Sequence, residues 1–325
     1  MRVLVFGSGS FARKHAEILS GLDDVEVTAF CSRTVGHAAA AAADLSTRTG
    51  RSVEAYTDTS EAIDAEKPDA AVIVVTPNGH GEIEIELVRR KVPFLVEKPI
   101  GVEPEHPRRI AEAVADADLI TSAAFHLRYL DTTEALDAML KATTPVIANG
   151  YWMSTLPPPA WWRHIEESGG QFVEQTVHIV DLVRALFGEF ESVYAHTSKR
   201  VLPDMHADAD VPDAGVAVLQ ARRGLTVTLI NSCVGPGSMR VGLEVVTPVA
   251  LFEFLPSLLR VRREFETTER RPELDPYRVE DAAFIEAVRT GDASGIRSPY
   301  ADALLTHELT MAIVASSTTG QPVVL

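Results

Sequence analysis

The feature that most constrains the fold is an alternation of short apolar runs with helix-like stretches over the first third of the chain. Continuous runs of this length, rich in Val and Ile, are typical of strands that are buried on both faces. Strands that alternate with helices indicate βαβ units on a parallel sheet. The sequence therefore predicts a doubly wound α/β domain over residues 1–122. Its apolar runs are RVLVFG (2–7), VEVTAFCS (25–32), AAVIVVTP (70–77), PFLVEKP (93–99) and LITSAAF (119–125).

The pattern changes after about residue 122, where strand-like segments begin to follow one another directly. RRGL (222–225) has the character of a hairpin turn between two such segments. This order predicts an α+β domain with a mostly antiparallel sheet over residues 123–325. Two helices, predicted at 279–291 and 301–320, close this domain, and each ends at a glycine.

Charge and cysteine content exclude several classes of partner. The chain carries 30 basic and 46 acidic residues, a formal charge of −16, which repels nucleic acids and anionic membranes. No apolar run approaches the length of a membrane span, and no signal-type region is evident at the start. Cys31 and Cys233 have no metal-type spacing. We therefore expect free thiols in a cytoplasmic protein.

A glycine-rich loop joins the first predicted strand to the first predicted helix. Gly7 permits the tight turn, Gly9 lets the backbone approach a pyrophosphate, and Ala12 allows close packing of helix on strand. At the first βα junction of a βαβ series, this spacing predicts a dinucleotide site. The expected contacts are Gly7, Ser8, Gly9, Ser10, Phe11 and Ala12.

The end of the second strand bears on the choice between NAD and NADP. Dinucleotide sites specific for NAD commonly place an acidic residue there, whereas this chain reads Cys31-Ser32-Arg33. A hydroxyl and a guanidinium suit a 2′-phosphate. Ser32 and Arg33 thus predict a preference for NADP over NAD; the alternative is that they begin a solvated turn.

Seven segments in order along the chain resemble the glucose–fructose oxidoreductase / inositol dehydrogenase / MocA family. The resemblance implies a Rossmann domain followed by a domain with an open, mostly antiparallel sheet. It also implies hydride transfer between nicotinamide and a carbinol carbon of a sugar, a polyol or a related small molecule. Family members commonly form homodimers or homotetramers through the exposed sheet face. The segments are GSGSFARKH (7–15), TPNGH (76–80), EKPIG (97–101), FHLRY (125–129), GGQFVEQTVHIVD (169–181), FIEAVRTG (284–291) and TTGQPVVL (318–325).

Carried over residue by residue, the resemblance assigns the catalytic groups. Lys98 matches the lysine of the EKP motif, His178 matches the catalytic histidine, and Glu174 stands where an aspartate is more usual. Two positions depart from the family, with Gln171 and Thr176 where glycines are commoner. These changes alter the expected pocket wall and leave the catalytic pair intact.

The chemistry of alcohol oxidation fits these residue types. A histidine has an ordinary pKa of about 6.5, so His178 can take the hydroxyl proton and return it in the reverse direction. Lys98 follows a parallel strand, where it can bind the same substrate oxygen. Glu174 would bind substrate or orient the imidazole, and Asp181 would orient it or support the helix. Pro99 is a candidate for a cis peptide bond.

The resemblance implies further contacts to cofactor and substrate. Trp152 and Trp161 flank the prolines of the loop LPPPAWWRHIEESGG (156–170). Their aromatic faces could stack on a sugar ring or close the cleft, and the alternative is that they pack the domain junction. The further cofactor contacts are Thr76, Pro77, Asn78, His80, Glu97 and Lys98. The substrate contacts are Lys98, Arg128, Tyr129, Trp162, Arg163, Glu174, His178 and Asp181.

The acidic segment DMHADADVPD (204–213) invites a metal interpretation through His206, Asp208 and Asp210. No ligand-rich partner segment accompanies it, so the sequence favours a solvated loop and predicts no metal site.

These features together predict an NADP-preferring oxidoreductase acting on a sugar, sugar derivative or polyol. Other reactions of the same fold stay open: dihydrodiol oxidation, imine reduction and redox-neutral glycoside cleavage. A non-catalytic nucleotide-binding regulatory protein is a further alternative, disfavoured because Lys98 and His178 are both present.

Overall fold

The computed structural model describes residues 1–237 and 239–325, which form two compact units. The first unit comprises residues 1–101, 105–126 and 276–304, and the second comprises 102–104, 127–275 and 305–325. This division differs from the predicted boundary, because residues 276–304 belong to the first unit. A periodic apolar pattern shows that a helix is buried, but it does not show which core receives it.

The first unit is built on a six-stranded parallel sheet in the order β3-β2-β1-β4-β5-β6. The order reverses between β1 and β4, and sheets of this kind bind ligands at the carboxyl ends of the strands beside such a switch. The predicted doubly wound sheet is therefore confirmed. Its strands are β1 (Arg2–Phe6), β2 (Glu26–Cys31), β3 (Glu54–Tyr56), β4 (Ala70–Ile73), β5 (Phe94–Val96) and β6 (Thr121–Ala123).

Helices flank this sheet, and one of them comes from late in the chain. Phe284, Ile285 and Ala287 of α10 are buried in the same core as Val3 and Val72 of the central strands. Burial of a large apolar side chain such as Phe284 or Ile285 contributes about 1.5–3 kcal/mol to the free energy of folding. The first unit therefore includes a late helix as part of its core. Its helices are α1 (Ser10–Ser20), α2 (Val35–Thr49), α3 (Thr59–Glu66), α4 (Glu82–Arg89), α5 (Glu105–Ala117) and α10 (Pro276–Thr290).

The second unit is built on a nine-stranded sheet in the order β14-β13-β12-β11-β7-β10-β9-β8-β15. The pair β7–β10 is parallel, and the other pairs are antiparallel, as predicted. The hairpin turn at 222–225 joins β9 to β10. The strands are β7 (Ile147–Met153), β8 (Phe190–Ser198), β9 (Ala214–Ala221), β10 (Thr226–Ser232), β11 (Arg240–Val246), β12 (Leu251–Leu255), β13 (Leu258–Arg262), β14 (Thr267–Arg270) and β15 (Val323–Val324).

Helices cover one face of the second sheet. Ile179 and Val183 of α8, Leu136 of α6 and Ile313 of α11 share a core with the inward residues of the strands. The opposite face leaves apolar side chains exposed on β8, β9 and β10. The helices described in this unit are α6 (Asp131–Lys141), α7 (Ile165–Ser168), α8 (Val177–Phe187), α9 (Leu202–Met205) and α11 (Tyr300–Thr319), whose first residues belong to the first unit.

Both cysteines are buried free thiols. Burial raises the pKa of Cys31 to about 11, with further contributions from Asp58 and Glu61. Burial likewise raises the pKa of Cys233 to about 11, with a further contribution from Asp213. Neither thiol is therefore suited to act as a nucleophile at neutral pH. Within residues 1–237 and 239–325, no helix is long and apolar enough to cross a bilayer.

Candidate active site

The glycine loop makes a tight turn against the end of β4 and leaves the first turn of α1 open. Gly7 has a φ of +110°, and a Cβ there would lie 1.9 Å from the carbonyl oxygen of Val74. Gly9 begins α1 without a side-chain cap, and a Cβ there would meet nothing within 4 Å. Ala12, in the first turn of α1, is fully buried. The open first turn of α1 therefore presents backbone N–H groups to an anion.

The end of β2 lies beside this loop, because the Gly7 amide donates to the Cys31 carbonyl at 2.8 Å. The Ser32 hydroxyl donates to the Thr34 carbonyl at 3.1 Å. Arg33 is exposed. This strand end thus carries a hydroxyl and an exposed guanidinium.

The segment after β4 divides into exposed and buried parts. Thr76 Oγ1 hydrogen-bonds Asn78 Oδ1 at 2.8 Å, and Asn78 is exposed beside buried Pro77. His80 is buried, and its Nδ1 bonds Glu84 Oε1 at 2.6 Å. This bond holds the imidazole at the start of α4, and the predicted contact of His80 with cofactor stays a prediction.

Glu84 completes this arrangement by accepting the Gly81 amide at 2.7 Å. Burial alone would raise the pKa of Glu84. The charge and hydrogen bond of His80, together with backbone N–H groups, outweigh burial and lower that pKa. Glu84 is therefore an ionised cap of α4 that orients His80.

Lys98 follows β5 and is half-buried, and the Lys98–Pro99 peptide is cis. Its backbone amide donates to Glu97 Oε2 at 3.0 Å. The other oxygen, Glu97 Oε1, lies 3.2 Å from His15 Nε2. The buried Glu97 carboxylate thus bonds these two internal partners, and its predicted contact with cofactor stays a prediction.

His15 joins Glu97 to α10, because its Nδ1 lies 2.8 Å from Asp281 Oδ1. Burial by itself would lower the pKa of His15. The charges and hydrogen bonds of Asp281 and Glu97 outweigh burial and hold that pKa well above its usual value. Burial raises the pKa of Glu97, but the hydrogen bond and charge of His15 and the charge of Lys98 lower it below its usual value. The three groups form a buried carboxylate–imidazolium–carboxylate chain behind Lys98.

The second group of candidates lies on a helix whose first turn is not α-helical. Gly169 and Gly170 adopt φ values of +71° and +78°, and a π-helical turn then spans Phe172–Thr176 before α8 begins. We expected one α-helix with Glu174 directly one turn before His178. A π-helical turn contains more residues, so the α-helical offset of four does not apply between these two side chains.

His178 lies in the first turn of α8 and is buried. Its ring stacks on the Trp152 indole of β7, with ring centroids 5.5 Å apart and an angle of 15° between the planes. The sequence indicated Trp152 only as a residue near the proline loop. Trp152 and His178 are 26 positions apart in the sequence, so no local sequence pattern predicts that their rings stack.

Glu174 Oε2 accepts a hydrogen bond from Trp162 Nε1 at 2.7 Å. Trp162 is 1% exposed and packs with Leu202, Val211 and Cys233 in a small separate core. Trp162 was predicted to contact substrate. Its buried ring positions the Glu174 carboxylate, and the substrate contact stays a prediction.

Asp181 is buried and bonded on both carboxylate oxygens. Arg128 donates to them from Nε at 2.7 Å and from Nη2 at 2.6 Å, and Thr306 Oγ1 donates at 2.9 Å. Bidentate pairing of this kind fixes both partners. Direct substrate contacts were predicted for Asp181, Arg128 and Tyr129. The first two pair with each other and Tyr129 is buried, so Arg128 and Asp181 support α8, and the substrate contacts stay predictions.

Arg163 is occupied by the acidic segment 204–213. Its Nη2 lies 2.9 Å from Asp208 Oδ2, and its Nη1 lies 3.3 Å from His206 Nδ1. The Ile165 amide donates to Asp210 Oδ1 at 2.6 Å. The segment is thus bound to residues 163–165 rather than simply solvated, and the substrate contact of Arg163 stays a prediction. The described part of the chain contains no group of three His, Cys, Asp or Glu side chains placed to hold a metal ion.

Comparison with known proteins gives matches in the same order as these features. Residues 1–125 match the GFO_IDH_MocA family, described as an oxidoreductase family with an NAD-binding Rossmann fold. Residues 144–248 match the GFO/IDH/MocA C-terminal domain. The two matches include the glycine loop, Lys98 and His178. They therefore support the assignment from both units of the structure.

Named relatives agree with these matches. Myo-inositol 2-dehydrogenase of Thermotoga maritima is 28% identical, over 71% of this chain and 68% of its own. The NAD(+)-dependent scyllo-inositol 2-dehydrogenase of Bacillus subtilis is 27% identical, over 78% and 77%. The crystal structure of myo-inositol 2-dehydrogenase from Lactobacillus plantarum has the same fold, with a TM-score of 0.84 and 22% identity over 100% and 99% of the two chains. The chain is an oxidoreductase of the GFO/IDH/MocA family, with that family's NAD-binding Rossmann fold and C-terminal domain.

Proposed function

We propose that the protein is an NAD(P)-dependent dehydrogenase that transfers a hydride between nicotinamide and a carbinol carbon of a polyol, sugar or sugar derivative. The observation that carries this proposal is the His178 imidazole, held at the start of α8 against Trp152. The relatives named as inositol dehydrogenases support a polyol as the substrate class.

The proposed step oxidises one secondary alcohol. Gly7, Ser8 and Gly9 would hold the pyrophosphate of the cofactor, whose nicotinamide would supply the acceptor for the hydride of the C–H bond. His178 takes the hydroxyl proton as the C–O bond becomes a carbonyl, and it returns the proton in the reverse direction. Lys98 donates a hydrogen bond to the same oxygen and stabilises the developing alkoxide. Glu174, fixed by Trp162, binds a neighbouring hydroxyl of the substrate.

The cofactor proposal is a preference for NADP, which rests on Ser32 and Arg33. The exposed Arg33 guanidinium can pair with a 2′-phosphate, and the strand end 31–34 contains no acidic side chain to bind the 2′-hydroxyl. The relative from B. subtilis carries NAD(+) in its name. We therefore propose NADP on the basis of Ser32 and Arg33, although this relative is named for NAD(+).

The partner proposal is a homodimer or homotetramer formed through the open face of the second sheet. Tyr194, Val216, Val218 and Ile230 are exposed on adjacent strands of that face. An exposed apolar group of this kind is typical of an association surface. A second copy of the chain is the partner that the family resemblance implies.

Absorbance at 340 nm tests the catalytic assignment. We expect the protein to consume or form NADPH with at least one member of a panel of inositols, inosose ketones, aldoses and ketosugars. His178→Ala should lower turnover at least about a hundredfold, the usual size of an acid–base contribution. Lys98→Met should also lower it, whereas Lys141→Met, a change at an exposed lysine of α6, should not. A preserved rate in His178→Ala, or no turnover with any panel member despite NADPH binding, would contradict the proposal.

A further inference from the structure

We infer that Trp152 is a positioning residue for His178 and that a single rung of the second sheet holds the catalytic turn in place. This inference rests on the proposed function, since it assigns a structural support to the proposed acid–base group. It concerns three features: the indole stacked on His178, two side chains that bracket the π-helical turn, and the strand positions beneath them.

The stack fixes the plane of the His178 ring. The two rings lie at 15° to each other with centroids 5.5 Å apart. Rotation of an imidazole about its second side-chain torsion is otherwise loosely restricted. A general base must lie within about 2.6–3.2 Å of the proton it removes, so a flat surface against one face selects the orientations that can react.

Gln171 connects the start of the π-helical turn to Trp152. Its Nε2 donates to the Trp152 carbonyl at 3.3 Å and to Gln175 Oε1 at 3.0 Å. The Gln171 side chain is buried. The Gln171 side-chain amide therefore makes one hydrogen bond to β7 and one within the turn.

Thr176 connects the end of the same turn to the neighbouring strand. The Asn231 Nδ2 of β10 donates to Thr176 Oγ1 at 2.9 Å. Asn231 pairs with Trp152 in the parallel register of β7 and β10. Both ends of the π-helical turn are thus bonded to one rung of the sheet, at Trp152 and at Asn231.

The third member of this rung is Gly215 of β9, which pairs with Asn231. A Cβ at Gly215 would lie 2.5 Å from the Phe172 ring and 3.0 Å from Asn231 Oδ1. The turn therefore packs directly on the backbone of the strand. Gln171 and Thr176, the two positions where the family more often has glycine, are the residues whose side chains make this support.

Trp152→Leu and Trp152→Phe test the inference by steady-state kinetics. A displacement of about 1 Å at a catalytic group can cost about a hundredfold in rate. We expect Trp152→Leu to lower kcat about ten- to a hundredfold, with KM changed less than about threefold and NADPH affinity unchanged. Trp152→Phe keeps a flat ring and should recover kcat to within about threefold of the wild type. A merely structural role would not separate the two variants in this way.

Phe254→Leu supplies the control for lost stability. Phe254 is a fully buried aromatic residue of β12 in the core of the same sheet. We expect Phe254→Leu to lower Tm while kcat is retained. An unchanged kcat in Trp152→Leu, or equal losses in the Leu and Phe variants, would overturn the inference.

A second pair of variants keeps the test decisive if Trp152→Leu does not fold. Thr176→Val preserves volume but removes the acceptor of the Asn231 hydrogen bond, whereas Thr176→Ser keeps it. We expect kcat to fall severalfold in the Val variant and to recover in the Ser variant; equal rates would overturn the inference. His178→Ala is measured in parallel. If it is inactive while the Trp152 and Thr176 variants are normal, only this inference fails, and if it stays active the proposed function fails with it.

Discussion

Arg33 is the residue on which the proposed cofactor preference depends. It is exposed directly after β2, next to a glycine loop bonded to the end of the same strand. Dinucleotide domains that prefer NAD commonly carry an acidic side chain there. One side chain at this position can therefore change which cofactor is used.

Arg33→Asp should shift the preference from NADPH toward NADH. Loss of a charge-assisted hydrogen bond to the 2′-phosphate costs about 1.5–3 kcal/mol, or about ten- to a hundredfold in the ratio of kcat/KM for the two cofactors. Arg89→Asp, the same change at an exposed arginine of α4, should leave the ratio unaltered. Equal kcat/KM for NADH and NADPH in the wild type would contradict the preference.

Residue types at the candidate site could be predicted from the sequence, but their partners could not. The glycine loop and the EKP and His178 motifs are local patterns. The contacts that decide how each side chain is used join distant residues: Asp281 binds His15 across 266 positions, and Thr306 binds Asp181 across 125. No local spacing reveals the internal partners of Asp181, Arg128 and Trp162, and the substrate contacts predicted for these residues stay predictions.

Among the elements, α1, the loop after β5 and α10 are joined by the chain Glu97–His15–Asp281. The folded-state pKa of His15 lies well above its usual value of 6.5. A raised histidine pKa gives stability that is fully present below pH 6.5 and is lost as the pH rises through the folded-state pKa. Alkaline conditions should therefore weaken this connection.

Asp281→Asn tests this pH dependence. Above pH 6.5, the wild-type free energy of unfolding should lose up to about 1.4 kcal/mol per pH unit from this one group. The free energy of unfolding of the variant should fall less as the pH rises, because His15 binds its extra proton less tightly in the folded state without the Asp281 charge. Urea unfolding at several pH values between 6 and 9 measures the difference, with Asp137→Asn, a change at a half-buried carboxylate of α6, as the control. Parallel pH profiles for wild type and Asp281→Asn would contradict the account.

The elements themselves were largely predictable, with two instructive exceptions. The apolar pattern that follows Gly169 and Gly170 predicted an α-helix, yet residues 172–176 form a π-helical turn. Hydrogen bonds from Gln171 and Asn231 secure that turn to strands whose positions the helix sequence does not encode. Helix α10 was predicted as a helix within residues 123–325, whereas Phe284 and Ile285 lie in the core of the first unit; apolar periodicity alone does not show which core receives a helix.

At the scale of the whole molecule, the open face of the second sheet makes self-association testable. Val218→Glu places a charge among Tyr194, Val216 and Ile230. Light scattering after size exclusion should give the wild type a mass near two or four times 35.2 kDa and the variant a smaller one. A wild-type mass of one chain at micromolar concentration would contradict the proposed oligomer.

Hydride transfer is the central claim, and isotope transfer tests it most directly. The measurement uses a panel substrate carrying deuterium at the carbinol carbon, with the reduced cofactor analysed by mass spectrometry. The account predicts that the reduced nicotinamide gains one mass unit and that His178→Ala abolishes this gain on the same timescale. Deuterium retained in the substrate, released to water, or found in a product formed without net cofactor reduction would contradict it.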